Sequence, residues 1–389
     1  MCPLLGIVFV ACWGFETGLA KGEGPRIAPS RPEPAFESMP GELLVGLDSE
    51  RSVDGFATLM SVDSASAEPL YGLGVLRVRL APGQSPVAAA AALKKLPFVR
   101  FVEPNGIAKA QFVPNDPAFV NQFNVKQVFA PFAWDLELGT PSTVIAIVDT
   151  GVDLTHPELA SRLLPGFDYV NSDSDPSDDN GHGTLCAGVA AAEANNGIGL
   201  AGAAPGCSIL PVKVLDANAW GSYSNIANGI RYAADRGANV ISLSLAGSSP
   251  SSTLERAVRY AWSRGVIVIA AAGNQGSSRK VYPAAIREAL AVASVDKRRV
   301  RSSFSNWGSW VDVAAPGEMV YSTYLNGGYF SAQGTSMSCA LVAGQAGLIW
   351  SKLGSSGSPG RVRWHIESSA IPLGRWVARG HVNFYRSIL

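Results

Sequence analysis

Apolar and polar residues alternate in blocks along the second half of the chain, and these blocks predict strands separated by helices. Short apolar runs predict buried strands. Two intervening stretches carry apolar residues at helical spacing and end at Gly237 and Gly265, as helix C-caps do. We therefore expect an α/β fold with a doubly wound, mostly parallel sheet and helices on both faces. The strands are predicted at Val144–Val148, Ile209–Val214, Val240–Ser244, Val266–Ala270 and Leu290–Val295, and the helices at Ser224–Arg236 and Thr253–Arg264.

A smaller unit is predicted upstream, over residues 41–111. Strand patterns at Glu42–Leu47, Val75–Leu80 and Phe98–Glu103 accompany an alanine-rich helix. Ser85 as N-cap and Pro86 as first helical residue suit the start of that helix. This order predicts a small ferredoxin-like α+β unit, followed by the larger domain over residues 112–389.

The first forty residues divide into a leader and a linker. Pro3–Phe15 is apolar but shorter than a membrane span, which favours a signal peptide over residues 1–21 and a secreted protein. Residues 22–40 are rich in Pro, Glu, Ser and Arg and predict a linker. A lipid anchor at Cys12, holding the protein at the cell surface, is the alternative, because Phe9–Cys12 resembles a bacterial lipoprotein box.

The amino-acid composition restricts which kinds of partner the protein is expected to bind. The chain has 389 residues, of which 47% are apolar, and a formal net charge of zero. It can bury a sizeable core, and it has no basic field for nucleic acid. We expect no nucleic-acid partner, no membrane span and a monomer. Five cysteines are too few and too unevenly spaced for a disulfide framework. We expect free thiols at Cys186 and Cys339, and the redox state of Cys207 stays open.

Three separated polar residues can together perform nucleophilic chemistry. Ser336 stands at the start of an apolar helix, where unpaired N–H groups favour developing negative charge, although a serine there can also be a simple N-cap. Asp149 ends a buried strand, and His182 opens a helix of small residues. A hydroxyl needs a base to take its proton, and the base needs a carboxylate to orient it.

The motifs around these residues resemble those of the subtilisin-like serine proteases, and the loop lengths resemble the thermitase branch most. The motifs are Asp149-Thr150-Gly151, Gly181-His182-Gly183-Thr184 and Gly334-Thr335-Ser336-Met337, in the chain order Asp, His, Ser that the family shows. The resemblance implies a catalytic triad of Asp149, His182 and Ser336, with Asn274 donating its side-chain amide to the oxyanion.

The resemblance also implies a proenzyme. Residues 41–111 resemble the inhibitory propeptide of secreted subtilases, with Asn105–Gln111 lying through the catalytic cleft and a self-cleavage between Lys109 and Pro114. The expected function is a secreted, autoprocessed, calcium-stabilised serine endopeptidase that acts on proteins and peptides. A catalytically silent binding protein with the same fold is one alternative, and a peptide ligase or esterase with the same triad is another.

The walls of the substrate cleft are predicted from the same resemblance. One wall corresponds to Trp220-Gly221-Ser222, and the other flanks S1, the pocket for the residue on the acyl side of the cut. By resemblance, Ala246 stands where the family usually has glycine, and Val281 matches a position at the pocket floor that is often glycine or asparagine. Gln275 leaves the rim uncharged. We therefore expect S1 to prefer small to medium apolar residues over aromatic or charged ones. The predicted substrate-binding residues are Trp220, Gly221, Ser222, Ser244, Leu245, Ala246, Gly273 and Val281.

Two calcium sites are also implied. The stretch Asp168–Asp179 holds five carboxylates, and oxygen clusters suit hard cations. By resemblance its ligands are Asp168, Asn171, Asp173 and Asp175, while a solvated acidic loop is the alternative. A second site uses the loop Ala194–Leu200, centred on residues 195–200, with Asp116, Glu158 and Asn196 as side-chain ligands. Glu158 replaces the usual aspartate of the family, and Tyr282-Pro283 corresponds to a bond that is cis in relatives.

Overall fold

A computed structural model of the protein describes residues 38–48, 67–70, 72–107 and 112–389. The chain divides into two compact units between residues 108 and 109. The predicted signal peptide 1–21, Cys12, most of the predicted linker 22–40 and residues 108–111 of the expected cleavage region lie outside the described residues. Within those ranges, no helix combines the length and the apolar character that a membrane crossing requires.

The N-terminal unit contains an antiparallel sheet of four strands. Their bounds are β1 (Ser38–Leu47), β2 (Ala67–Leu70), β3 (Val75–Arg79) and β4 (Val99–Gly106), in the order β2-β3-β1-β4. Helix α1 (Pro86–Leu93) begins where Ser85 accepts a hydrogen bond from the N–H of Ala88. Leu43, Val45 and Leu76 lie in its core. This order confirms the ferredoxin-like prediction, and β1 begins three residues inside the predicted linker.

The C-terminal unit is built on an eight-stranded sheet whose neighbouring strands are all parallel. Its strands are β5 (Val144–Asp149), β6 (Phe167–Asp168), β7 (Ser208–Lys213), β8 (Val240–Leu243), β9 (Ile267–Ala271), β10 (Ala289–Val295), β11 (Val313–Pro316) and β14 (Gly380–His381), and a separate hairpin pairs β12 (Val320–Tyr324) with β13 (Gly328–Ala332). The order is β14-β11-β10-β9-β8-β5-β7-β6. The predicted fold class is confirmed.

Helices cover both faces of this sheet. Along β5, Ile145 and Ile147 pack into one apolar cluster, whereas Ala146 and Val148 pack into the other, as the alternation of side chains along a strand requires. The helices of this unit are α2 (Phe123–Gln127), α3 (Ala130–Trp134), α4 (His182–Ala191), α5 (Tyr223–Asp235), α6 (Ser252–Ser263), α7 (Thr335–Leu353), α8 (Pro359–Ser369) and α9 (Phe384–Ile388). The first cluster contains residues of α4 and α7, and the second contains residues of α5 and α6.

Strand β5 marks the point where the winding of the sheet reverses. The chain continues from β5 to β7 on one side and later returns to β8 on the other side. In such sheets the loops at the carboxyl ends of the two flanking strands separate and leave a crevice, which is the usual place for a binding site. Asp149, the last residue of β5, lies at this point.

Candidate active site

Asp149 and His182 form a direct contact at the carboxyl end of β5. The Nδ1 atom of His182 lies 2.7 Å from Oδ1 of Asp149, and the same oxygen accepts a hydrogen bond of 2.8 Å from the N–H of Thr150. The Asp149 side chain is 1% exposed, whereas the His182 side chain is 28% exposed. The carboxylate is therefore buried beneath an imidazole that reaches solvent.

One small residue, Gly183, allows the helix of His182 to approach the end of β5. A Cβ atom at Gly183 would lie 2.0 Å from the carbonyl oxygen of Gly151, so a larger residue would push α4 away. The N–H of Gly183 also donates to Oγ1 of Thr150 at 2.8 Å. The glycine after His182 is thus required by the close contact that brings the imidazole to Asp149.

Asp178 joins the segments on either side of this contact. Its Oδ1 atom accepts from Oγ1 of Thr150 at 2.8 Å and from the N–H groups of Asn180 at 3.0 Å and Gly181 at 2.9 Å. Its Oδ2 atom accepts from the N–H of Thr184 at 2.9 Å and from the Thr184 hydroxyl at 2.6 Å. In the sequence, Asp178 is only one of five carboxylates in an acidic run, and nothing there separates it from its neighbours.

Lys213 is a second residue whose role the motifs did not indicate. It is 1% exposed and pairs with Asp149 in the register of β7 and β5. Its ammonium group donates to the carbonyl oxygens of Thr150 at 2.7 Å and Leu215 at 2.9 Å, and to Oδ1 of Asp179 at 2.6 Å. A lysine inside a predicted buried strand was the sequence signal, because a buried charge needs partners.

The electrostatic surroundings favour the protonated form of His182. Burial alone would lower the pKa of His182, but the nearby carboxylates of Asp149 and Asp178 outweigh it and raise the pKa above its ordinary value. The neutral imidazole, which is the form able to accept a proton, therefore becomes dominant at a higher pH than for an ordinary histidine.

Ser336 is the second residue of α7 and does not cap it. The N-cap position is Gly334, and the Ser336 hydroxyl instead donates to the carbonyl oxygen of Ser244 at 3.1 Å. In return, the Ser244 hydroxyl donates to the carbonyl oxygen of Ser336 at 3.0 Å. Within residues 112–389, the Ser336 hydroxyl makes no hydrogen bond with His182. The nucleophile candidate thus lies against the predicted S1 wall.

Asn274 is held so that its amide nitrogen and the backbone N–H of Ser336 face a common space. The Oδ1 atom of Asn274 accepts from the N–H and the hydroxyl of Thr335, both at 2.9 Å, which fixes the side-chain orientation. A Cβ atom at Gly334 would lie 3.3 Å from Nδ2 of Asn274 and 3.7 Å from the Ser336 nitrogen. Gly334 has a φ of 148°, a conformation that favours glycine. Because glycine has no Cβ, the space between the two donors also stays open.

The two predicted cleft walls follow the strands on either side of β5. Trp220 and Gly221 come after β7, and Trp220 is 76% exposed, while Ser222 instead caps α5 by accepting from the N–H of Asn225. Ser244, Leu245 and Ala246 come directly after β8. The walls therefore lie on opposite sides of the crevice, as the topology requires.

A cavity of about 570 Å³ adjoins the second wall. Ala246, Gln275 and Val281 line it, and so do Arg279 and Lys280. The expectation of an uncharged rim at this pocket is wrong, because the loop that carries Gln275 also brings two basic residues to the cavity. Gly273, with a φ of 91°, precedes Asn274 on the same loop.

The described cysteines are free and inert. Cys186, Cys207 and Cys339 are buried and unbridged, which confirms the expectation for Cys186 and Cys339. Burial raises the pKa of Cys186 well above its ordinary value and that of Cys339 to about 12, so both are neutral thiols. The Tyr282-Pro283 bond is cis, as expected.

Asp116, Glu158 and Asn196 come together around the loop 195–200. The Asn196 amide donates to Oε2 of Glu158 at 2.9 Å, and its backbone N–H donates to Oδ1 of Asp116 at 3.4 Å. Glu158 is fully buried and Asp116 is 3% exposed, and in the described part of the chain neither pairs with a lysine or arginine. Burial, with the nearby Asp116, raises the pKa of Glu158. Two buried carboxylates without a counter-charge fit a hard divalent cation.

The acidic loop is arranged differently. Asp168 is buried and accepts from the N–H groups of Val170 at 2.6 Å and Asn171 at 3.0 Å. Asp173 and Asp175 are exposed, and each accepts from an N–H two residues later. Among the described residues, no three acidic side chains of this loop bring their oxygens within 4.8 Å of one another. These carboxylates face their own loop rather than a common point.

Comparison with known proteins agrees with this geometry. Residues 140–385 match the model of the Subtilase family, and residues 27–105 match that of the Fervidolysin N-terminal prodomain. The chain is 50% identical to thermitase from Thermoactinomyces vulgaris over 71% of its own length and 99% of the relative. It is 43% identical to the thermophilic serine proteinase of Bacillus sp. (strain AK1), over 77% of this chain and 75% of that protein.

A solved structure described as proteases from Pseudoalteromonas arctica PAMC 21717 superimposes with a TM-score of 0.67 at 31% identity, over 71% of this chain and 99% of that one. Fold, site geometry and sequence similarity all lead to one assignment. The chain belongs to the subtilase family, as a thermitase-like serine endopeptidase with an N-terminal prodomain.

Proposed function

We propose that Ser336 is the nucleophile of this protease, His182 its general base and Asp149 the residue that orients the imidazole. The observation that carries the proposal is the buried contact of 2.7 Å between Asp149 and His182. A carboxylate on Nδ1 fixes the tautomer in which Nε2 can accept a proton. Asn274 completes the site, because its amide and the N–H of Ser336 face the same space beside Gly334.

The proposed reaction is acyl transfer in two stages. The Ser336 hydroxyl leaves the Ser244 carbonyl, gives its proton to Nε2 of His182 and attacks the carbonyl carbon of the peptide. The carbonyl oxygen becomes an oxyanion that accepts hydrogen bonds from Asn274 and from the N–H of Ser336. His182 then protonates the leaving amine. Water attacks the acyl-enzyme in the same way and restores Ser336.

The prodomain is proposed to inhibit the enzyme until it matures. The matching prodomain model over residues 27–105 supports a folded prosegment. We place the self-cleavage between Lys109 and Pro114 and expect the mature enzyme to be secreted, because the leader is apolar and short. A lipid anchor at Cys12 is the alternative location.

Calcium binding is proposed at the loop 195–200. Asp116, Glu158 and Asn196 would hold the ion, and their support is the pair of buried, uncompensated carboxylates. Bound calcium would neutralise them and stabilise the fold by mass action, in proportion to the logarithm of its excess over the dissociation constant. The set Asp168, Asn171, Asp173 and Asp175 stays a prediction.

The S1 pocket is proposed to accept small to medium apolar side chains. Val281 is 6% exposed and, with Ala246, adds apolar volume to the cavity. Compared with glycine, each of these side chains occupies space that an aromatic ring would need. A peptide-library profile dominated by Phe, Tyr or Arg at this position would contradict the proposal.

Digestion of casein by the matured protein tests the proposed function. We expect hydrolysis of casein and of small esters by the wild-type enzyme, and neither by a Ser336→Ala variant, which should also accumulate as the unprocessed chain. Hydrolysis of esters without casein would favour an esterase or ligase. A folded protein that stays unprocessed and hydrolyses nothing would favour the silent binding protein.

A further inference from the structure

Two basic side chains line the cavity beside the S1 wall. Arg279 and Lys280 are both exposed, and they share the cavity with Ala246, Gln275 and Val281. Nothing in the triad chemistry uses them. Their position at the pocket raises the question of which substrate side chain they meet.

The loop that carries these cations is fixed at several points. Tyr282 and Gly247 exchange backbone hydrogen bonds of 2.7 and 2.8 Å, which hold the end of the loop against the second cleft wall. The indole N–H of Trp310 donates to the carbonyl oxygen of Ser278 at 3.0 Å. The backbone beneath Arg279 and Lys280 is therefore held in place, so that both side chains start from a defined part of the rim.

The positive charges of this rim are uncompensated. In the described part of the chain, neither side chain forms an ion pair or a hydrogen bond, and the residues that line the cavity include no aspartate or glutamate. An anionic group that enters the cavity would therefore meet two cations whose donors are free. Charge complementarity of this kind sets specificity more than it sets affinity.

The floor of the cavity restricts the shape of that anion. Val281 is 6% exposed and, like Ala246, offers apolar surface. A side chain that combines a short apolar stem with a terminal carboxylate satisfies both the floor and the rim. Glutamate has this form, because its two methylene groups can pack on the floor while its carboxylate reaches the rim.

We propose that Arg279 and Lys280 determine a specificity of the S1 pocket for glutamate, in addition to the apolar residues that its floor accepts. The inference rests on the proposed function, because the pocket matters only if the chain cleaves peptides there. Exposed ion pairs are individually weak, so each cation should contribute about two- to fivefold. The preference should also fall as salt screens the charges.

A pair of peptide substrates that differ only by Glu or Gln at the residue before the cut isolates the charge. The measured quantity is kcat/KM of the matured enzyme for the Glu peptide divided by kcat/KM for the Gln peptide. We expect a ratio above one that falls roughly fivefold or more in the double variant Arg279→Gln, Lys280→Gln, and that also falls with added salt in the wild type only.

The matched control is the double variant Arg264→Gln, Lys352→Gln. It makes the same change in net charge away from the cavity. Arg264 is the C-cap residue of α6 and precedes the amino end of β9, and Lys352 lies near the end of α7, about 24 Å along the helix from Ser336. This control should leave the ratio unchanged. Glutamate specificity through Arg279 and Lys280 is contradicted if the ratio stays constant in the pocket variant, or if the control lowers it equally.

The two levels of the proposal can fail separately. If the enzyme cleaves neither peptide and a matching peptide with leucine before the cut is also intact, the proposed function fails. If the leucine peptide is cleaved while the Glu and Gln peptides do not differ, only the specificity inference fails.

Discussion

The two halves of the active site are prepared to different degrees. The acid-base half is assembled, because His182 already contacts Asp149 at 2.7 Å and Asp178 binds the segments around both residues. In the nucleophile half, the Ser336 hydroxyl donates to the Ser244 carbonyl at 3.1 Å. The difference indicates that the fold already positions the proposed base, His182, whereas the proposed nucleophile, Ser336, must exchange one hydrogen bond for another before it can react.

The largest effect among the predictions concerns the nucleophile half. Asn274→Ala should lower kcat by about 10²- to 10³-fold, because it removes one of the two donors proposed to stabilise the oxyanion. That stabilisation acts only once the oxyanion forms. KM should change little, and the pH at which activity is lost on the acid side should stay the same. Steady-state kinetics on a peptide substrate over pH 5–9 measure all three.

The contradicting result for Asn274 is a loss that appears in KM alone. Such a loss would mean that Asn274 binds the substrate without stabilising the transition state. If Asn274→Ala also shifted the acid limb of the pH profile, which is the fall in activity towards low pH, the two halves would not be independent.

A smaller effect is predicted for the acid-base half. Asp178→Asn should lower the plateau of kcat/KM by roughly tenfold, because five hydrogen bonds that position Thr150 and the start of α4 are weakened. It should also move the acid limb to lower pH. The carboxylate of Asp178 helps raise the pKa of His182, so its neutralisation lowers that pKa and the neutral base persists to lower pH.

Asp235→Asn is the matched control for Asp178. Asp235 is an acidic residue at the end of α5, before the amino end of β8, and it pairs with Arg231. The control should leave both the plateau and the acid limb unchanged. An unaltered limb in Asp178→Asn, with a lower plateau, would restrict Asp178 to a structural role.

The smallest effect on activity is predicted for the calcium loop, which lies outside both halves. A strong chelator should lower the Tm of the mature enzyme by about 5 °C or more, since the loss of a ligand at a hundredfold excess over Kd removes about 2.7 kcal/mol. Asp116→Asn should remove most of this shift, whereas kcat at 25 °C should change little. Calorimetry with and without chelator measures the shift.

The outcome for the wild type decides both calcium assignments. A Tm that chelation leaves unmoved would contradict them together. If Asp173→Asn rather than Asp116→Asn abolished the shift, the ion would belong to the acidic loop.

Sequence patterns located the main strands to within about one residue. The run Val144–Val148 became β5 (Val144–Asp149), and Val240–Ser244 became β8 (Val240–Leu243). A continuous apolar run bounded by polar residues leaves little choice of where a buried strand can begin and end. Strands β2, β6, β11 and β14 and the hairpin β12–β13 were not predicted. The two-residue strands β6 and β14 pair with partners distant in sequence and carry no continuous apolar run, and polar residues interrupt the apolar pattern of the hairpin.

The triad and Asn274 were also indicated by local motifs, whereas their supporting residues were not. Asp178 looks like Asp173 or Asp175 in the sequence, yet only the fold turns its carboxylate towards Thr150 and Thr184. Arg279 and Lys280 reach the S1 cavity through the path of a loop, which no periodicity encodes. The motifs therefore indicated the groups that are proposed to react, and the tertiary structure shows which other side chains lie around them and around the cavity.

The reaction of the matured enzyme with a fluorophosphonate, followed over pH 5–9 with the modified residue located by mass spectrometry, tests the central claim most directly. We predict a single label on Ser336, formed at a rate that falls on the acid side with a midpoint above pH 6.5, where the raised pKa of His182 leaves the base protonated. A label on another residue, or a rate on Ser336 that does not depend on pH, would contradict the account.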